Sequence, residues 1–322
     1  MFSTGNPDKQ ISNLSESEII ECIRAWLGPS NPGYPQGIGD DCAVLISEAE
    51  GKQIITTDAV TYGKHFDNQI ASEAAGAKLI KRNLSDIAAM GGVPESAVLA
   101  LLAGPDLSID WLKGFFKGIR SECETYGIQL VGGDLSSLEN GNFSAVLTLI
   151  GRATSPSLRK YAGERDFICV TGHLGGSRLG KHHNFKPRIQ EGQWLAKREE
   201  CTAMMDLTDG LSKDLKAIMP ENCCALLDLD RIPISLDAHT LSRTTGSSSV
   251  ELAFTDGEDY ELLFCIASEV EFQKFKESWE EYFPQVPVSC IGRFQESSQA
   301  GRIIDTRTNE SIPWTEGFEH FK

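Results

Sequence analysis

The sequence is short of positive charge. Thirty Lys and Arg stand against 46 Asp and Glu, giving a formal net charge of −16. A nucleic-acid backbone or an anionic membrane surface would repel such a chain unless basic side chains were gathered into a patch, and no run of Lys and Arg exists to form one. Long apolar runs are also missing: no window approaches 18 uninterrupted apolar residues, so no membrane span is expected. The first ten residues lack the basic and apolar regions of a secretory leader, which makes the expected compartment the cytoplasm. Cysteine is present but unpaired in pattern. The nine cysteines form an odd set without a Cys-x-x-Cys spacing, and most lie in apolar stretches, which reads as buried thiols and excludes a disulfide frame or a zinc site.

At 322 residues the chain exceeds what one hydrophobic core usually holds, so two domains are expected. Strand-like and helix-like segments alternate, the mark of an α/β or α+β architecture. A Ser-x-x-Glu capping box at Ser15 and Glu18 opens a first helix. "QIITTD" (53–58) reads as a buried strand ending on a carboxylate. Ser72 to Met90 has helical apolar spacing and stops at Gly91-Gly92. A second helix is expected from Ile109 to Tyr126, then strands at "IQLVGGD" and "FSAVLTLIGRA" (143–153). The polar segment 154–166 places a domain boundary near residue 150, dividing the chain into 1–150 and 151–322. The second part repeats the theme with strands at "FICVTG", "MMD", "ALLDLD", "YELLFCI" and "PVSCIGRF", and helices running through Ile218 and around 269–283.

Aspartates recur beside glycines or hydroxyls: Asp40 and Asp41 in "GIGDDCAVL", Asp58 in "TTDAV", Asp86 in "NLSDIAAMGG", Asp134 in "VGGDLSS", Asp206 and Asp209 in "MDLTDGL". Asp58, Asp134, Asp206 and Asp209 fall at or just after an expected strand end, the edge where open α/β layers bind ligands. Taken singly, each could be a turn former, and Thr208 or Asp209 could cap the helix that follows. Taken together, clustered carboxylates repel one another unless a cation neutralises them. A hard divalent ion with oxygen ligands, such as Mg²⁺ carrying phosphates, is the usual solution, with Thr56, Thr57 and Thr208 as neutral oxygen donors. "GGSRLGKH" (175–182) resembles a phosphate-binding loop but has His182 where that loop needs a hydroxyl, and a glycine-rich turn before a helix explains it more simply. His65 in "GKHFD" reads as a hydrogen-bonded loop residue or a ligand contact. Glu258 and Asp259 in "GEDYELLF" read as turn acids or functional ones.

Seven segments carry a resemblance in order and spacing: "GIGDDCAVL", "TTDAVTYGKHF", "NLSDIAAMGGVP", "VGGDLSS", "DLTDGLSKDL", "GEDYELLF" and the terminal "GFEHF". Together they resemble the thiamine-monophosphate kinase family, within the superfamily of aminoimidazole ribonucleotide synthetase and selenophosphate synthetase. The resemblance implies transfer of the γ-phosphoryl group of ATP to thiamine monophosphate, by a homodimer of two-domain subunits whose N-terminal sheets close a barrel-like interface. It implies Mg²⁺ held by Asp41, Thr57, Asp58, Asp86, Asp134, Asp206 and Asp209, with Thr56 and Asp40 beside them, and Asp209 central to catalysis. Nucleotide contacts would be Gly133, Asp134, Arg159 and Thr208; His65, Glu258 and Phe318 would meet the thiamine phosphate. Lys64, Arg82 and Lys213 are candidate cations by sequence proximity only, each better explained as a solvated surface charge. The chain departs from the family pattern at Leu135, Lys64 and Arg82, and is shorter between Gly180 and "KPRIQEG" (186–192). Two alternatives remain: a superfamily relative acting on another small phosphate or carbonyl acceptor, and a non-catalytic module in which the acids hold a structural calcium or a nucleotide. Selenophosphate synthesis is disfavoured, since residues 1–36 offer only Cys22.

Overall fold

A computed structural model describes Glu18, Glu21, Tyr34, Pro35, residues 40–45 and residues 51–314. Glu18 and Glu21 are helical; the rest of the expected capping-box helix, and Phe318, lie outside the described residues.

The first sheet is built entirely from the first 153 residues. Its strands are β1 (Ala43–Leu45), β2 (Lys52–Thr61), β3 (Val93–Ala103), β4 (Gln129–Ser137) and β5 (Phe143–Ala153), in the order β1-β2-β5-β3-β4. Only β3 and β4 run parallel, joined by the helix α2 (Ile109–Tyr126); the other pairings are antiparallel. Helix α1 (Ser72–Ala89) lies between β2 and β3 in sequence. On β5 burial alternates without exception, with Ala145, Leu147 and Leu149 under the helices, as a period-2 strand requires. α1 and α2 approach closely because Gly76 and Gly118 lack side chains: a Cβ at either would lie 1.9 Å from the carbonyl oxygen of Phe115 or Glu73.

Expected and observed helices agree at α1, which stops as Gly91 turns into the left-handed region (φ 65), and at α2, which ends on Gly127 (φ 71). β2 and β4 run three residues further than the expected strands. Asp58 and Asp134 therefore sit within strands rather than at their ends, because "AVT" and "LSS" continue to pair with β5 and β3. Strand β3 was not foreseen. Its Ala- and Leu-rich sequence lacks alternation, and Pro94 stands at a register shift in its pairing with β5.

The second sheet has six strands in the order β11-β8-β10-β6-β9-β7: β6 (Phe167–Thr171), β7 (Cys201–Asp206), β8 (Cys223–Leu227), β9 (Leu262–Ile266), β10 (Val288–Glu296) and β11 (Ile303–Asp305). Helices α3 (Lys181–Asn184), α4 (Ile189–Ala196), α5 (Leu211–Ile218), α6 (Leu236–Thr245), α7 (Ser249–Thr255) and α8 (Phe272–Tyr282) surround it. Both of its faces are covered. Cys169, Met204, Phe264 and Ile266 join a core shared with α1 and the first sheet, while Val170, Met205, Leu263 and Cys265 belong to a second core beneath α5 and α7. This double burial explains the nearly continuous apolar runs of β6 and β9. The architecture is thus mixed α/β, and among the described residues no helix is long and apolar enough to cross a membrane. The contacts of α1 with both β2 and β7 set one face of that helix between the two sheets, and the acids gather there.

Candidate functional site

Helix α1 supplies the spine. Lys78, Arg82 and Asp86 recur every four residues and so lie on one stripe, spanning about 12 Å along the axis at 1.5 Å per residue. At the Asp86 end three carboxylates converge from distant segments: Asp41 from the turn before β1, Asp86, and Asp206 from the last position of β7. One oxygen from each lies within 4.8 Å of those of the other two. Burial, and then mutual repulsion, push the carboxyls of Asp86 and Asp206 well above the ordinary carboxylate range. Two hydroxyls face the cluster: Thr56 donates to Asp86 and Ser85 to Asp206, each at 2.5 Å. Asp40, buried and next to Asp41, is raised to about 6 and receives a hydrogen bond from Tyr34.

Arginine cations brace the acids. Arg159, in a 3-10 turn after β5, donates through Nε and Nη2 to the two oxygens of Asp41 at 2.9 and 2.5 Å. Arg82 forks onto both oxygens of Asp58 at 3.2 and 2.9 Å and reaches the carbonyl of Ala59. The alternative of a solvated surface charge is therefore excluded for Arg82, whose side chain is 13% exposed. Lys213 reaches Asp209 at 2.7 Å. Neither Thr208 nor Asp209 caps α5: the N-cap is Gly210, without a side-chain cap bond. The loop is instead shaped from inside the helix, where buried Asp214 accepts from the backbone N–H groups of Thr208 and Asp209 at 2.9 and 3.1 Å. That leaves the Asp209 carboxylate to Lys213 and the cleft.

The loop from Gly257 to Tyr260 closes the other end. Glu258 and Tyr260 hold left-handed backbone (φ 53 and 50), a costly state for non-glycine residues, pinned by hydrogen bonds from their N–H groups to the carbonyls of Thr208 and Leu207. Glu258 pairs with Lys78 at 2.7 Å, which helps hold its carboxyl below the usual range although burial pushes the other way. Its neighbour Asp259 accepts from the Gly175 N–H and serves the fold. His65 turns inward on its own loop, its Nδ1 accepting from the Thr61 N–H at 3.0 Å. Lys181 of the glycine-rich segment is spent on Glu261 (2.9 Å) and the His173 carbonyl, consistent with a structural turn.

Thr57, Gly133 and Asp134 are not brought to this cluster within the chain. Alternation puts Thr57 on the face of the first sheet opposite Thr56 and Asp58, where it donates to the Leu147 carbonyl. Asp134 pairs in register with Ala100 and lies on that same open face, bonded by Ser136. Gly133 has a packing reason to be glycine, since a Cβ would sit 1.9 Å from the Leu99 carbonyl oxygen. Sequence reading missed Lys78, Ser85 and Asp214. A lysine at four-residue spacing from Arg82 and Asp86 within an Ala- and Leu-rich helix was the available signal for the first.

Residues 39–153, the segment that builds the first sheet with α1 and α2, match the family model "AIR synthase related protein, N-terminal domain". Over nearly the whole length the chain is similar to the thiamine-monophosphate kinase of Rhodopirellula baltica, at 33% identity covering 90% of this chain and 92% of that protein. The thiamine-monophosphate kinase of Haemophilus influenzae is 32% identical, over 88% of this chain and 91% of that one. Among solved structures, AaThiL complexed with AMPPCP and TMP superposes with a TM-score of 0.82 at 26% identity, covering 99% of this chain and 100% of that chain. With its acid cluster, its two sheets and this extent of likeness, the chain belongs to the thiamine-monophosphate kinase family.

Proposed function

We propose that the protein transfers the γ-phosphoryl group of ATP to the phosphate of thiamine monophosphate, giving thiamine diphosphate and ADP. The observation that carries this reading is the convergence of Asp41, Asp86 and Asp206, from segments 45 and 120 residues apart, beside the Arg82 and Arg159 cations. The likeness to kinases of this name and to a structure holding an ATP analogue with TMP supports the substrate pair.

The donor set fits Mg²⁺: carboxylate oxygens crowded to 4.8 Å, with a hydroxyl on two of them, suit a hard cation and would be costly without one. Asp41, Asp86 and Asp206 would hold it, with Asp58, Asp209 and Thr56 adjoining. Bound there, it supplies charge neutralisation for polyphosphate. The remaining work belongs to the chain. A phosphate monoester has its second pKa near ~6, so the acceptor is already largely dianionic at neutral pH and needs no general base. The barrier is the meeting of two anions in line, which is lowered by orientation and by positive charge. Arg82 and Arg159 present planar forks, and Lys213 an ammonium, along the same cleft. His65 and Glu258 are the proposed acceptor contacts, at the far end of the α1 stripe from the acid cluster.

The working unit in this reading is a cytoplasmic homodimer of two-domain subunits (1–150 and 151–322) whose N-terminal sheets close a barrel between them. Support comes from the first sheet, where Val98 on the open face is 39% exposed and Val131 and Leu135 on the edge strand β4 are 63% and 79% exposed, apolar surface that an isolated subunit leaves in water. Thr57 and Asp134 lie on that face, so their assigned metal and nucleotide roles are read in the dimer. The test is a coupled assay for ADP together with chromatographic detection of thiamine diphosphate. Product requiring ATP, thiamine monophosphate and Mg²⁺ together supports the reading; failure to form thiamine diphosphate with all three present refutes it.

A further inference from the structure

The Lys78 ammonium is wholly buried, and each of its three N–H donors has an acceptor on a different segment. It donates to Glu258 Oε1 at 2.7 Å, to the His65 carbonyl at 2.8 Å and to His182 Nδ1 at 3.2 Å. The Glu258 and His65 oxygens can only accept, and with Lys78 as NH3⁺ the third N–H is given to His182 Nδ1. Burial pulls its pKa down and the Glu258 carboxylate opposes that pull. The contact with Lys78 also fixes the imidazoles. In that arrangement the His182 proton is on Nε2, which faces His183 Nδ1 at 3.1 Å.

We propose that Lys78 is the positioning residue of the acceptor pocket, tying the loop of His65, the strained loop of Glu258 and the shortened 180–187 segment to helix α1. The proposal rests on the reading of His65 and Glu258 as the acceptor end. The contacts of Lys78 and the Tyr260 hydroxyl with Glu258 are both to Oε1, at 2.7 and 3.1 Å, while Oε2 faces His182 Nδ1 at 3.7 Å. Oε2 is thereby left for an acceptor of cationic or amino-bearing heteroaromatic chemistry, as thiamine monophosphate is, and the carboxylate cannot rotate away without breaking a buried ion pair. Arg82 and Asp86 follow on the same stripe, so the ammonium sets the distance from the organic end of the acceptor to the phosphoryl-transfer end. Lys78 itself touches no reacting atom.

The experiment compares steady-state kinetics of the full-length enzyme with Lys78→Met, Glu258→Gln and the double variant, varying thiamine monophosphate and ATP separately. Wild-type thiamine diphosphate formation is measured first, and its absence would refute the function while leaving the lysine out of the account. Given a working wild type, Lys78→Met is expected to raise KM for thiamine monophosphate about tenfold or more while KM for ATP stays within about twofold. The double variant is expected to match Glu258→Gln alone, because the lysine acts through that carboxylate. If Lys78→Met fails to fold, the double variant still decides, since it strands no buried charge. A wild-type KM for thiamine monophosphate in Lys78→Met, an equal rise in both KM values, or additive losses in the double variant would each overturn the proposal.

Discussion

Replacing Asp206 by Asn tests the acid cluster directly. Two ionised carboxylates 4.8 Å apart repel by about 3.5 kcal/mol at an effective dielectric constant of about 20. The apo protein sheds part of this by holding protons: the carboxyls of Asp86 and Asp206 titrate well above the 3.8 of a free aspartate. With folded pKa values raised, the folded chain keeps protons that the unfolded chain has lost, so apo stability falls as pH rises through that interval. Asp206→Asn removes one charge while leaving an oxygen to accept from Ser85, and is expected to stabilise the metal-free protein at neutral pH by about 1–2 kcal/mol. Mg²⁺ should act in the opposite sense, favouring the wild type over the variant. At a hundred times its Kd it stabilises the wild type by about 2.7 kcal/mol, a melting shift of roughly 4 °C for a chain of 322 residues, and binding should release protons. Differential scanning calorimetry with and without MgCl2, and titration calorimetry in buffers of different ionisation enthalpy, measure both. If the apo melting temperature of Asp206→Asn drops, and its Mg²⁺ response and proton release equal those of the wild type, the reasoning is refuted.

Other substitutions probe the frame. Arg82→Met should strand the Asp58 carboxylate and cost about 3–5 kcal/mol in urea unfolding, with Asp58→Asn in the same chain recovering much of the loss. Gly118→Ala would place a Cβ 1.9 Å from the Glu73 carbonyl oxygen, forcing α1 and α2 apart at a cost of about 3 kcal/mol or more; melting within a degree of wild type would contradict the close approach. Burial pushes the His182 imidazole down from 6.5 to about 4, helped by Lys78. The unfolded chain takes up a proton there that the folded chain refuses, and stability should fall as pH drops from 6.5 toward 4, most simply followed by NMR titration of the ring and by comparison with His182→Gln.

Helices α1 and α2 were legible because their signals are local: apolar spacing, and glycines at Gly91 and Gly127 that take left-handed backbone where the helices stop, whereas α3, α4, α6 and α7 were not foreseen. β3 was not legible, because "AVLALLA" is as good a helix as a strand until β5 and β4 flank it. For the site, the set of acids could be read but not their grouping. Thr56 and Thr57 are neighbours in sequence and lie on opposite faces of one strand, and only the register of β2 decides which one meets Asp86. Lys78 escaped notice for a related reason. A buried lysine looks like any helix lysine until the distant residues it bonds, Glu258 and His182, have folded onto it.

Why the charged stripe runs along a helix, when loops carry most of the acids, follows from what phosphoryl transfer needs. The two reactive groups must be held near contact distance and in line, and a small misplacement costs orders of magnitude in rate. Loops such as those of Asp41 and Asp209 can supply charge but fix no distance by themselves. α1 fixes it, because Lys78, Arg82 and Asp86 are spaced by helical geometry alone, and the helix is clamped on two sides: against α2 at Gly76 and Gly118, and against α4 at Gly192, where a Cβ would lie 2.0 Å from the Ala88 carbonyl oxygen. The glycines thus do for the active site what no acid in it can. They bring neighbouring helices close enough that the stripe cannot slide, so the spacing between Lys78 and the acid cluster is set by the packing of the fold.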